Sequence, residues 1–204
     1  MRQRISRVTD EIEEEVPREL LANEKRYEEF AYVLDFLQQG KSVVIKGREG
    51  SIVQAIGEER LTLLELLAGD DQDFELGERL RIGREGRDKI LSVLGKLSYE
   101  ELTQEAKSQL PSVCEAIVKS NEAKYVAYFN ELQPLTPRLH GLELIPGIGK
   151  TFMKTIVDLR EKHPFASFED VQNRVGLREP AKLIAKRITE EISGDSRINI
   201  FVKK

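Results

Sequence analysis

Leu144-Ile145-Pro146-Gly147-Ile148-Gly149-Lys150 is the stretch on which the reading of this chain turns. Two glycines flanking one apolar residue let the backbone take positive φ and approach another molecule closely, while Ile148 anchors the turn inward. Downstream, Phe152, Ile156 and Leu159 fall on one helical face and Lys154 and Asp158 on the other, which predicts an amphipathic helix. Upstream, Thr136-Pro137-Arg138 has the form of a helix start, with Thr136 as cap and Pro137 at the first position, so a short first helix is expected to run toward Leu144. Between the two helices the N–H groups of Gly147, Gly149 and Lys150 would point outward beside the positive end of the second helix dipole, an arrangement that favours an anion. Lys150 and Thr151 add a charge and a hydroxyl, and Lys154 lies one turn further along.

This pattern resembles the helix-hairpin-helix motif, and the match extends to Ile156 and Arg160 in the second helix. In that motif the hairpin amides grip a backbone phosphate, a contact that positions the protein without reading sequence. One departure is Met153, where a small residue is usual, which implies looser packing of the two helices. Further on, Ser167 with Asp170 three residues later predicts a cap and a helix ending near Val175. Gly176-Leu177-Arg178-Glu179-Pro180 follows, and then a helix from Ala181 through Leu183, Ile184, Ile188 and Ile192. This looks like a second, degenerate hairpin in which Arg178 replaces the second glycine. Its expected role is mainly structural, because one hairpin alone is too small a core, with Arg178, Lys182, Lys186 and Arg187 as candidate contacts to a nucleic-acid backbone.

Working toward the N-terminus, residues 91–133 read as a helical connector. Ser98-Tyr99-Glu100-Glu101 is a capping-box sequence, Pro111 is expected to end or restart the helix, and Leu110, Val113, Ile117 and Val118 continue an apolar stripe toward Tyr125, Tyr128 and Phe129. Residues 28–90 instead carry short β-favouring runs separated by glycines: Tyr32–Phe36, Ser42–Ile45, Ser51–Ile56, Leu61–Leu67 and Arg79–Ile82. That spacing predicts a small OB-like antiparallel β-barrel rather than βαβ units, although the leucines of 61–67 suit a helix as well. Its Lys46, Arg48, Arg79, Arg81, Arg84, Arg87 and Lys89 form either a second basic surface or a merely solvated face. The expected fold is thus α+β: an acidic lead over 1–27, the barrel over 28–90, the connector over 91–133, a tandem hairpin domain over 134–193 and a tail over 194–204.

At 204 residues, with 40% hydrophobic and 33% charged, the chain is long enough to bury one or two cores. Its apolar runs fall short of the ~20 residues that span a bilayer, and Met1-Arg2-Gln3-Arg4 leads into the acidic Asp10–Glu15 rather than an apolar signal core, so a cytoplasmic location and no membrane partner are expected. The single cysteine, Cys114, sits among apolar neighbours and reads as a core residue. The formal charge of -4 hides an asymmetry: from Pro134 onward 13 Lys and Arg stand against 9 Asp and Glu, in a chain holding 32 and 36 overall. The C-terminal part is therefore the better place to meet phosphate.

The chain as a whole resembles the archaeal DUF655 family. The residues that carry the resemblance are Tyr32–Leu37, Gln54–Glu58, Gly77–Arg79, Arg87–Ile90, Tyr99–Thr103, Arg138–Leu144 and Pro164–Asp170, covering about Tyr27 to Ile192. The resemblance implies an OB-like barrel joined to tandem hairpins and RNA rather than DNA as the ligand, with a link to ribosome-related functions and ribosomal or ribosome-assembly components as partners.

No catalytic apparatus is legible. His140 and His163 stand alone, metal-ligand Cys/His spacing is missing, and neither a P-loop nor a nucleophile elbow is present. The clustered carboxylates that metal-dependent nucleases need fall only in the lead and at Asp70–Asp73, which reads as a loop. No catalytic residue, cofactor or metal is expected. Three readings follow: a non-catalytic RNA-binding protein of ribosome assembly or translation, a DNA-binding accessory of repair or recombination, and a protein scaffold.

Overall fold

A computed structural model describes residues 27–202; the expected acidic lead lies outside them, apart from Tyr27. Five antiparallel strands form one curled sheet: β1 (Phe30–Lys41), β2 (Glu49–Gly57), β3 (Leu63–Ala68), β4 (Arg79–Arg81) and β5 (Ile90–Lys96), in the order β4-β1-β2-β3-β5. β4 and β5 are unpaired edges, so the sheet is a half-barrel. β1 is long enough to curl because its register slips between Val33 and Asp35 and again between Leu37 and Gly40, and such bulges bend a strand and sharpen its twist. At the second slip a side chain on Gly40 would stand 2.9 Å from Leu37 Cβ.

Alternation along the strands sends two sets of side chains to opposite faces. Ala31, Val33, Val53, Ala55, Leu66 and Leu80 build a core within the curl. Tyr32, Leu34, Ile56 and Leu63 face the helices and join their core. The helices are α1 (Gln104–Ser120), α2 (Glu122–Glu131), α3 (Lys150–Arg160), α4 (Phe168–Val175) and α5 (Pro180–Ser193), with a strand pair, β6 (Pro134–Thr136) and β7 (Leu139–His140), between α2 and α3. The buried Gln54 latches sheet to helices: its Nε2 donates to Glu101 O at 3.1 Å and its Oε1 accepts from Thr103 N–H at 2.9 Å. Cys114 is fully buried on α1, and burial pushes its thiol up to about 12.

Several local expectations are corrected. Ser42–Ile45 is a turn, not a strand, because the buried Glu65 carboxylate accepts from the Ser42 hydroxyl and from the N–H groups of Val43 and Val44, drawing that backbone away from ladder pairing. The ambiguous leucine run is β3. Residues 91–96, expected to open the helical part, instead belong to strand β5, held by pairing with β3; cross-strand contacts overrode the local pattern. The Ser98–Glu101 box forms, with Ser98 N–H donating to Glu101 Oε2 at 2.7 Å, but it caps one 3-10 turn, and Thr103 caps α1 through Ala106 N–H at 3.0 Å. α1 then runs through Pro111 without ending, since Leu110, Val113 and Cys114 are buried on either side of it. The expected tail over 194–204 returns to the core: the Glu191 carboxylate accepts from the N–H groups of Ile200, Phe201 and Val202, each at 2.9 Å.

Candidate functional site

The turn before α3 follows from its residues. Ile148 N–H donates to Ile145 O at 3.0 Å, with Pro146 and Gly147 between and Gly147 at φ 87°, the pattern of a type II turn with proline then glycine at its centre. Ile148 is 3% exposed and holds the turn down as expected. Gly149 caps α3 at φ -88° and ψ -178°, a conformation open to any residue, and a Cβ placed on it would meet nothing within 4 Å. Only the first glycine is required by backbone geometry. Among the described residues none accepts from the N–H groups of Gly147, Gly149, Lys150 or Thr151, and Lys150, Thr151 and Lys154 are exposed. The result is a set of open donors at the positive end of an eleven-residue helix with two cations on its first turns.

The expected first helix is not an α-helix. Thr136-Pro137-Arg138 turns the chain between β6 and β7, so neither Thr136 nor Pro137 starts a helix, and residues Gly141–Leu144 make a single 3-10 turn. His140 caps it: Leu142 N–H donates to His140 Nδ1 at 3.1 Å, and His140 N–H donates to Glu143 Oε2 at 3.0 Å. The Thr-Pro pair suits a turn as well as a helix start, and pairing of the two short strands decided between them. Burial, then the nearby Arg160, holds His140 below the usual imidazole range. Arg160 donates through Nη1 to Phe129 O and Leu132 O, at 3.0 and 2.8 Å. It therefore closes the end of α2 rather than facing solvent.

The second turn matches the first at two positions and departs at the third. Gly176 takes φ 78° and Leu177 is 3% exposed, as Gly147 and Ile148 are placed. Beyond them fewer donors are left: Glu179 N–H donates to Gln172 Oε1 at 3.4 Å, and Pro180, which opens α5, has no N–H. A Cβ on Gly147 would stand 3.4 Å from Leu183, so α5 lies against the first turn. Lys182 and Lys186, one helical step to the same side of Leu183, are exposed next to it, as is Arg178; Lys182 also pairs with Glu179 at 3.4 Å. Arg187 is a correction to the candidate set. It is 8% exposed and donates to Glu191 at 2.9 Å, to the Ser196 hydroxyl at 2.6 Å and to Ile198 O, so it holds the C-terminal segment.

The cations of the sheet do not make one surface. Arg79 pairs with Glu58 at 2.6 Å beneath the Phe30 ring, and Lys89 with Glu78 at 2.6 Å. Lys46 and Arg48 are exposed at the β1–β2 turn. Arg81, Arg84 and Arg87 line a cleft on the β4–β5 side, together with Lys96 and Tyr27, two residues whose part in it no sequence signal announced. Among the described residues no group of three or more His, Cys, Asp or Glu is placed to hold a metal ion, and no helix is long and apolar enough to cross a membrane.

The family model described as "Protein of unknown function (DUF655)" matches residues 27–203. The chain belongs to the DUF655 family. An uncharacterised protein of Methanocaldococcus jannaschii is 42% identical to it over 181 residues, 88% of this chain and 82% of that protein. A DUF655 protein from Archaeoglobus fulgidus, solved by crystallography, is 40% identical and superposes with a TM-score of 0.76 over 86% of this chain and all of that one. The half-barrel with its helices is accordingly shared with the Archaeoglobus fulgidus DUF655 protein.

Proposed function

We propose that this DUF655 chain is a non-catalytic RNA-binding protein whose residues 134–193 act as a tandem helix-hairpin-helix unit, serving ribosome assembly or translation. The observation that carries the reading is the row of open N–H donors at Gly147, Gly149 and Lys150, beside Lys150, Thr151 and Lys154. Open N–H groups at the N-terminus of a helix suit a phosphate. A glycine at position 149 is demanded neither by its backbone angles nor by packing, since nothing lies within 4 Å of an added Cβ, and it lets a polymer backbone approach α3 closely. The second turn, with Pro180 and the engaged Glu179 amide, holds the core, while Arg178, Lys182 and Lys186 add positive charge along the path. Contacts of this kind grip backbone without reading bases, so selectivity falls to other parts of the chain.

Titration of the full chain with a structured RNA and with duplex DNA at several salt concentrations tests the reading. Tighter RNA binding is expected, with affinity falling as salt rises, and Gly149→Val is expected to weaken it at least tenfold. Equal binding of DNA would shift the assignment to a DNA accessory. Absence of salt-dependent binding to either polymer would overturn it in favour of a protein scaffold.

A further inference from the structure

β4 and β5 would be neighbours if the half-barrel closed, but they are unpaired, and between them lies a cleft of about 490 Å³. The size suits a small organic ligand or one unit of a polymer. Leu64, Ile82 and Val93 supply apolar surface within it. At its mouth stands Tyr27, 73% exposed, with the Arg84 guanidinium 5.9 Å from the ring centre.

The charges are distributed unevenly. Arg81 is matched by Glu29 at 3.2 Å. Arg84, Arg87 and Lys96 have no carboxylate partner among the described residues. Arg87 is nevertheless held in place, its Nε donating to Ile82 O and Gly83 O at 2.9 and 2.8 Å and its Nη1 to Leu91 O at 3.3 Å, so its charge is fixed while Nη2 stays open. Against these stand Glu85, exposed at the rim, and Glu28, whose carboxylate already accepts the N–H groups of Glu59, Arg60 and Thr62.

We infer that this cleft binds a single-stranded polynucleotide, with one base against Tyr27 and the apolar wall and the adjoining phosphates on Arg84, Arg87 and Lys96. Aromatic stacking joined to unmatched cations is the pairing that single strands require, whereas a run of acidic side chains offers no planar face to stack on the ring. The inference rests on the nucleic-acid reading above but concerns a separate site, and it supplies the unpaired-strand recognition that the hairpin cannot. Base stacking is tolerant of sequence, so the site selects unpaired from paired nucleotides.

Fluorescence anisotropy with labelled octamers of uridine and of deoxythymidine tests it on the full chain. Both arms share the chemistry, and comparison of the two tells RNA from DNA as its source. Tyr27→Ala is expected to weaken octamer binding on the order of tenfold. Arg84→Glu with Lys96→Glu is expected to weaken it further and to lower the slope of log affinity against log salt by about 1.4, at about 0.7 per single-strand phosphate. Urea melts of the variants should match the parent chain. Retained octamer binding in these variants, no octamer binding by the parent chain, or equal competition by polyglutamate would overturn the assignment. Gly149→Val separates the two sites. Octamer binding lost in Gly149→Val and kept in the cleft variants would sink the cleft and spare the hairpin, whereas structured-RNA binding indifferent to Gly149→Val would sink the hairpin and spare the cleft.

Discussion

Glu65 Oε1 accepts the N–H of Val43 at 2.9 Å, across 22 residues of chain, from a side chain that is wholly buried. With Val44 N–H and the Ser42 hydroxyl on Oε2, this one carboxylate shapes the β1–β2 turn and so sets where Lys46 and Arg48 stand. Glu65→Ala should therefore cost about 3 kcal/mol, since charge-assisted bonds are lost and buried groups are left without partners. Urea denaturation measures the cost, and amide exchange at Val43 and Val44 should quicken. Unchanged exchange at those two amides would show that the turn is held by something else.

The two glycines of the first turn should respond differently to alanine. Gly147 sits at φ 87° and against Leu183, so Gly147→Ala is expected to destabilise the fold by about 1–2 kcal/mol. Gly149 has ordinary backbone angles and open space around it, so Gly149→Ala should cost no more than roughly 0.5 kcal/mol as a poorer cap. Denaturant midpoints of the two variants provide the comparison, and similar losses would contradict the geometry.

Glu28 makes stability depend on pH. Its burial, and then the adjoining Glu59 side chain, push its carboxyl up to about 7. The folded chain thus holds this proton more tightly than the unfolded chain, whose glutamates titrate near 4.3. Stability from this group is fully present below the unfolded value and is lost as pH rises toward 7, by roughly 3.5 kcal/mol in all. Above 7 the contribution is flat. Glu28→Gln should remove that decline, so the stability difference between the two proteins should change between pH 5 and pH 7.5. A constant difference over that range would refute the linkage.

Neighbouring cations on α5 should separate by role. Arg187→Ala leaves Glu191 buried without its ion partner and should cost about 3 kcal/mol, with nucleic-acid affinity unchanged once the fold is intact. Lys186→Ala should do the reverse: negligible loss of stability and a shallower salt dependence of binding. Thermal melts and salt titrations of the same two variants decide it.

How much of this was legible beforehand depends on how far apart the deciding residues lie. The Pro146-Gly147-Ile148-Gly149 turn, the Ser167 cap and the break at Gly176–Pro180 were all readable, because each is governed by residues within one turn of one another. The Thr136-Pro137 cue misled because it serves a β-turn as well as a helix start, and the partner that chose between them is another short strand. Pro111 misled because the packing of α1 outweighs one missing hydrogen bond. Arg187 and Lys186 are adjacent and chemically alike in sequence. Only the folded chain shows that one is clamped by Glu191, Ser196 and Ile198 while the other faces solvent.

Local sequence is enough for the α+β character, the sheet of the N-terminal half ahead of the helices, the inward anchor at Ile148 and the positive φ at Gly147, since periodicity and backbone sterics act locally. Tertiary structure alone decided that β5 completes the half-barrel, that the C-terminal residues rejoin the core, and that Tyr27, Arg84, Arg87 and Lys96 share one cleft. Those outcomes depend on hydrogen bonds and burial between segments far apart in the chain, and such pairings leave no periodic trace in either partner.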